Sequence, residues 1–240
     1  MDQIQNIHNL LSKIEAKMKM TNRISGVLVS GMVLFAGAAQ ADVVFNISGS
    51  NNCFPLGCFP QNYQQVYDAS GFTGGAVDIA GLRFKVAQDG NGQAFGPTPI
   101  TLTVDLSTTA ITPSTITGNF ATNRGANDQV VFSGTTLLSS SGGNVFDILI
   151  PFTSSFRFDP SAGNLLVGLN VTSGTTHTFF DAGYSPLVGR NYFGNPHGNY
   201  GLATQFVTTA VPEPESYAMM LAGLAGLGFM ARRKKAISVK

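Results

Sequence analysis

Between Asp42 and Val211 every carboxylate is an aspartate, at positions 42, 68, 78, 89, 105, 128, 147, 159 and 181, with no glutamate among them. Two such carboxylates flanking a glycosidic bond would make a polysaccharide hydrolase. Asp181, within Phe179-Phe-Asp-Ala-Gly183, is the one best suited to that role. Asp105 and Asp147 instead alternate with apolar neighbours and read as solvated charge on the polar faces of strands. Asp89-Gly-Asn-Gly92 opens like a calcium loop, but the later acidic ligands are missing, so a Gly-Asn turn is expected. The chain has no Gly-x-Ser-x-Gly elbow, no His-Glu-x-x-His and no phosphate-cradling glycine loop before a helix. The expectation is therefore a protein that is not an enzyme, with no catalytic residue, metal site or cofactor.

Binding chemistry is richer. From Phe179 to Tyr200 the aromatic residues Tyr184, Tyr192, Phe193 and Tyr200 are interleaved with Arg190, Asn191, Asn195, His197 and Asn199 across Gly- and Pro-containing segments that read as loops. Ring faces stacking on sugar CH groups, with Asn and Arg hydrogen-bonding hydroxyls, would form a glycan site. The competing reading has these rings filling a core, and the absence of Trp from the chain weighs on that side. Asn46-Ile-Ser48 and Asn170-Val-Thr172 fit the glycan-acceptor pattern. Cys53 and Cys58 enclose Phe54-Pro-Leu-Gly57, a turn-prone tetrapeptide. A disulfide there would staple a loop while removing little chain entropy. A redox or metal pair would need further ligands, and His177 and His197 are distant in sequence.

The elements that must position these groups read as β-structure. Leu82, Phe84 and Val86 alternate with Arg83 and Lys85, a half-buried strand with one wet face. Ile100, Leu102, Val104 and Leu106 alternate with Thr101, Thr103 and Asp105, and Phe146, Ile148, Ile150 and Phe152 repeat the pattern around Asp147. Residues 164–171 and 200–207 are further candidates, with 43–47 as an edge strand. Turn-forming clusters at 89–92, 96–99, 139–143 and 159–163 separate them. No part of the body carries a helical period. The expected fold is all-β: an antiparallel β-sandwich, jelly-roll-like, flanked by an N-terminal signal helix and a C-terminal transmembrane helix.

Both ends read as targeting material, dividing the chain into 1–41, an exported body at 42–210, and 211–240. Lys17, Lys19 and Arg23 precede an apolar segment from Ile24 that ends Ala39-Gln40-Ala41, a small-x-small cleavage site placing the mature start at Asp42. Translation from Met18 or Met20 would give this segment the usual length. The body holds five cations against nine carboxylates, a net charge of −4, which argues against nucleic acid. At the other end Val211-Pro-Glu-Pro-Glu-Ser-Tyr217 leads into an apolar run, 218–231, and then Arg232, Arg233, Lys234 and Lys235. Pro212 and Pro214 keep the hinge extended, the run is a short membrane helix, and the four cations are a stop-transfer signal. At ~1.5 Å per residue the run falls short of a ~30 Å hydrocarbon core, and Tyr217 and the Lys/Arg stems extend it.

This order of Pro212-Glu213-Pro214, apolar helix and basic cluster resembles the PEP-CTERM sorting signal of exported proteins in Gram-negative bacteria that make extracellular polysaccharide. The resemblance covers about the last tenth of the chain. It implies recognition of Pro212, Glu213 and Pro214 by an exosortase with a cysteine nucleophile. The partners it implies are signal peptidase and the secretion translocon, the inner membrane through the C-terminal helix before processing, and exosortase. Val66-Tyr-Asp-Ala-Ser70, Phe146-Asp-Ile-Leu-Ile-Pro-Phe152 and Phe158-Asp-Pro-Ser-Ala-Gly-Asn-Leu-Leu166 are similar to phrases recurring among such proteins, which implies a shared fold. The expected function is an exported cell-surface or matrix protein, structural or adhesive in exopolysaccharide or biofilm. A carbohydrate-binding module is the second reading and an Asp-dependent hydrolase the third.

Overall fold

A computed structural model describes residues 41–209 together with Gly223 and Leu224. The signal segment with Ala39, the Pro212–Pro214 motif, the apolar run apart from Gly223 and Leu224, and the cations at 232–235 lie outside the described residues. Among the described residues no helix is long and apolar enough to cross a membrane.

Apolar–polar alternation produces thirteen strands in the described residues. They are β1 (Val43–Phe45), β2 (Ser50–Asn52), β3 (Asn62–Tyr67), β4 (Val77–Phe84), β5 (Phe95–Thr109), β6 (Gln129–Ser140) and β7 (Ile148–Phe158), followed by β8 (Asn164–Ser173), β9 (Phe180–Tyr184), β10 (Val188–Tyr192), β11 (Asn195–His197), β12 (Tyr200–Leu202) and β13 (Thr204–Thr209). All pairings are antiparallel. One sheet has the order β1-β13-β4-β7, a second β11-β10-β3-β8-β5-β6, and a small third β12-β9-β2. The first strand thus lies against the last, with Val43 opposite Phe206.

The inward faces of the two larger sheets share one core. Phe45 on β1 meets the Tyr67 ring on β3 at 4.9 Å, and Tyr67 meets Phe206 on β13 at 4.8 Å. Ile100, Leu102, Val104 and Leu106 on β5 and Ile148 and Ile150 on β7 are all buried. Each such side chain contributes about 1.5–3 kcal/mol by leaving water. The Tyr67 hydroxyl keeps a partner in Thr204 Oγ1 at 2.8 Å, and burial pushes its phenol well above the ordinary value. The expected turn at Asp159-Pro160 is a 3₁₀ turn in which Asp159 accepts from the Ser161 amide at 2.9 Å, and β8 begins directly after Gly163. A side chain at Gly163 would sit 2.8 Å from the Thr109 carbonyl, at a φ of +146°.

Several expectations are corrected. Residues 179–200, read as loops, form β9, β10, β11 and most of the connections between them. The strand expected over 200–207 breaks at Ala203, passing from the small sheet to the first sheet. One helical turn, α1 (Phe120–Asn123), occurs where none was expected, capped by Asn119 accepting from Ala121 and Thr122. Lys85 is not on a wet face: β4 ends at Phe84, and the next residues pair with 179–181, turning the lysine inward. Asp105 is not solvated either, because the segment carrying α1 folds over the outer face of β5 and brings Arg124 onto it.

Candidate functional site

The edge of the six-stranded sheet and the small sheet together gather the aromatic candidates. Arg190 on β10 stands opposite His197 on β11 and Gln65 on β3, and Tyr192 stands opposite Asn195 and Tyr63. Tyr200 on β12 stands opposite Tyr184 on β9. Side chains two apart on a strand share a face, so Arg190 and Tyr192 project together. The Arg190 guanidinium carbon lies 4.8 Å from the Tyr192 ring centre and 4.3 Å from that of Tyr200. Arg190 is 7% exposed, pairs with no carboxylate among the described residues, and leaves Nε and Nη1 buried without hydrogen-bond partners. Two ring faces are thus its visible charge compensation, an arrangement worth about 2 kcal/mol when desolvated. Burial pushes the neighbouring Tyr63 phenol up, while the Arg190 charge pulls the other way.

The support beneath is hydrogen-bonded throughout. Tyr63 donates to Gln65 Oε1 at 2.6 Å, the Leu202 amide donates to the same oxygen at 2.8 Å, and Gln65 Nε2 donates to the Leu202 carbonyl at 3.0 Å. Gly201 permits this approach, since a Cβ there would meet Gln65 at 2.8 Å. Tyr200 donates to Ser50 Oγ at 3.0 Å, tying the ring to β2.

The outward part of the cluster holds Phe193, which the sequence suggested, and adds Phe54 and Phe59, which it did not. Phe54 stacks on Tyr192 at 5.3 Å and meets Phe59 and Phe193 edge-on at 5.3 and 5.8 Å. Phe59, Phe193 and Tyr184 are 48%, 49% and 80% exposed. His197 lies 5.4 Å from Tyr192, within 3.4 Å of its hydroxyl. Asn195 is exposed at the β11 rim. Phe54 lies on the loop closed by Cys53 and Cys58, which are joined by a disulfide, and Phe59 directly follows it. That loop is pinned by the Thr176 amide donating to Leu56 at 2.8 Å and the Thr175 hydroxyl donating to Gly57 at 2.6 Å. One phenylalanine inside a cystine loop and another just after it were the available signal, but nothing in the sequence says that a loop at 53–58 meets a strand at 188–192.

The other candidates disperse. Asp181 is 1% exposed, with Oδ2 3.0 Å from Lys85 Nζ, and neither group reaches solvent. The lysine directs its hydrogen bonds to Asn46 and Asn144, at 2.7 and 2.6 Å, so its attraction to Asp181 is Coulombic rather than a well-aligned hydrogen bond. A carboxylate so enclosed cannot touch a substrate; it supports β9. Asp89 accepts from Asn91 at 3.1 Å and from Asn51, the turn expected of it. Asp42 is held in place: its carboxylate accepts from Arg83 at 3.0 Å, Gln205 at 3.1 Å and the Thr208 amide at 3.1 Å. Among the described residues no group of three or more His, Cys, Asp or Glu could hold a metal.

The comparison with curated proteins returned no match. The family comparison found the PEP-CTERM protein-sorting motif over residues 210–234, spanning Pro212-Glu213-Pro214, the apolar run and the first three cations of the basic cluster. The chain carries a PEP-CTERM sorting signal, which implies exosortase as its processing partner and delivery to the cell surface.

Proposed function

We propose that this chain is a non-catalytic adhesive protein of the cell surface or polysaccharide matrix, and that its aromatic platform holds polysaccharide. The observation that carries the reading is the exposed array of Phe59, Phe193 and Tyr184 around an arginine clamped between Tyr192 and Tyr200. Exposed rings are costly to leave in water unless they meet a partner, and sugar CH faces suit them. The strand orders β1-β13-β4-β7 and β3-β8-β5-β6 support a jelly-roll sandwich, with β9 to β12 as an insertion that builds the platform. The precursor is anchored in the inner membrane by residues 218–231 until exosortase acts near Pro212–Pro214. A carbohydrate-binding module with a defined ligand remains the second reading, supported by the same rings.

The test is affinity electrophoresis of the full chain in gels containing the producing cell's own exopolysaccharide. Retardation is expected, and its loss in Phe59→Ala combined with Phe193→Ala. Unretarded wild-type protein would refute the adhesive reading. Mass spectrometry of surface material is expected to find Asp42 at the amino end and no peptide from 232–240.

A further inference from the structure

The outer face of the six-stranded sheet carries a second recess, on the opposite face of β3 from the Tyr63 and Gln65 side chains that support the platform. Its floor follows from strand register. Asn62 on β3, Asn170 on β8 and Thr103 on β5 lie side by side in one row. Gln64, Gly168 and Asp105 form the next row on the same face. One row further, Val66 and Leu166 are covered by Ile116 and Ile111 from the segment that carries α1. That segment therefore closes one end of the face and stops as a wall at Phe120, Arg124 and Asp128, leaving a cavity of about 400 Å³. This lies within the ~300–1,000 Å³ range of small-molecule sites.

The wall is built rather than draped. Asn123 is fully buried; its amide donates to Gln64 Oε1 at 3.0 Å and the Thr117 carbonyl at 2.8 Å, and its oxygen accepts from Thr117. Arg124 grips Asp105 with two hydrogen bonds of 3.1 and 3.0 Å and reaches Asp128 at 3.3 Å. Gly168 makes room for the Asp105 carboxylate, since a Cβ there would lie 2.4 Å from Oδ2.

We propose that this recess binds one or two units of an uncharged, polyhydroxylated sugar. Asn62 and Asn170 are exposed, and neither side chain makes a hydrogen bond among the described residues, so both amides are free to donate to and accept from hydroxyls. Asp128 is one-third exposed and offers a carboxylate to a vicinal diol, and Phe120 offers a ring. Two carboxylates around one guanidinium leave a local charge of −1, which disfavours uronates and other anionic sugars. The proposal goes beyond the platform and does not depend on it.

Hydroxyl-radical footprinting of the full chain separates the two regions, because Phe120 reports on the recess and Phe59, Phe193 and Tyr184 on the platform. The probes are cellohexaose and mannohexaose as neutral sugars and oligogalacturonate as the acidic one. With a neutral probe at its Kd, Phe120 oxidation is expected to fall by about half of its saturating change. Asn62→Ala with Asn170→Ala, both solvent-facing changes, is expected to abolish that protection. Equal protection of Phe120 by oligogalacturonate overturns the ligand class, and protection that survives the double variant overturns the site. Protection confined to Phe59, Phe193 and Tyr184 overturns the recess while leaving the platform reading intact. Protection nowhere overturns the recess as well.

Discussion

The aromatic platform and the amide-lined recess compensate an arginine in opposite ways, one buried and one at the surface. Arg190 is enclosed by Tyr192 and Tyr200 without a carboxylate, whereas Arg124 is held between Asp105 and Asp128. The first leaves positive charge behind rings, the second a net negative charge beside amides. Desolvating an ion is costly unless something replaces its water, and ring quadrupoles do this less completely than carboxylates. On the proposed readings, the platform is expected to accept an anionic or neutral polymer and the recess a neutral one. The two also differ in rigidity of origin. The recess floor is set by three strands in register, while the platform is assembled from a cystine loop, an inserted hairpin and a three-stranded sheet.

The largest expected effect removes that assembly. Asp181 lies on β9, the middle strand of the small sheet, and compensates Lys85 in a site where both side chains are buried. Asp181→Ala leaves a buried lysine without its counter-charge, at a cost of about 3–5 kcal/mol. Urea unfolding is expected to show that loss, and footprinting to show Tyr184 and Phe193 fully reactive while Phe120 keeps its protection. A loss within about 0.5 kcal/mol would mean that the pair is solvated and that β9 does not support the platform.

A smaller change acts on the recess alone. In Gly168→Ala the added methyl meets the Asp105 carboxylate, so the Asp105–Arg124 pair must shift toward the cavity. The expected cost is about 1–3 kcal/mol, with loss of neutral-sugar protection at Phe120 and unchanged retardation in exopolysaccharide gels. Retardation lost together with Phe120 protection would show that the two regions form one extended site.

How much of this was legible depends on the range of the interaction. Period-two alternation marked Ile100 to Leu106 and Ile148 to Ile150 as strand cores, because burial on one face is written locally. The tyrosine–arginine candidates were legible as a composition, and the structure brings Arg190, Tyr192, His197 and Tyr200 together. Their secondary structure was not legible over 179–200, because Gly183 and Gly189 read as loop residues there. Gly183 and Gly201 instead allow other chain segments to approach closely within strands, Gly183 meeting Ser48 and Gly201 meeting Gln65. Lys85 and Asp105 were misplaced for a related reason. Alternation says which face a residue takes, but not whether a distant segment covers that face. The recess had no sequence signal, since Asn62, Asn170 and Thr103 become neighbours only through pairing across 108 positions.

The smallest effect concerns the charge that distinguishes the recess. Burial, with the Asp105 charge beside it, raises the Asp128 carboxyl above its ordinary value, while Arg124 opposes the rise. The folded protein therefore holds this proton more tightly than the unfolded chain. Its contribution to stability is present below the unfolded value of about 3.9 and is lost as pH rises through the higher folded value. Asp128→Asn removes that titration. Across pH 3 to 7 the wild-type Tm is therefore expected to fall relative to that of the variant as pH rises, by a few degrees at most for a group one-third exposed. A wild-type Tm that instead gains on the variant with rising pH would mean that Arg124 outweighs burial and Asp105 at the Asp128 carboxyl. The carboxylate would then be held ionised to lower pH, and the local charge of −1 left by Asp105, Arg124 and Asp128 would persist further into acid.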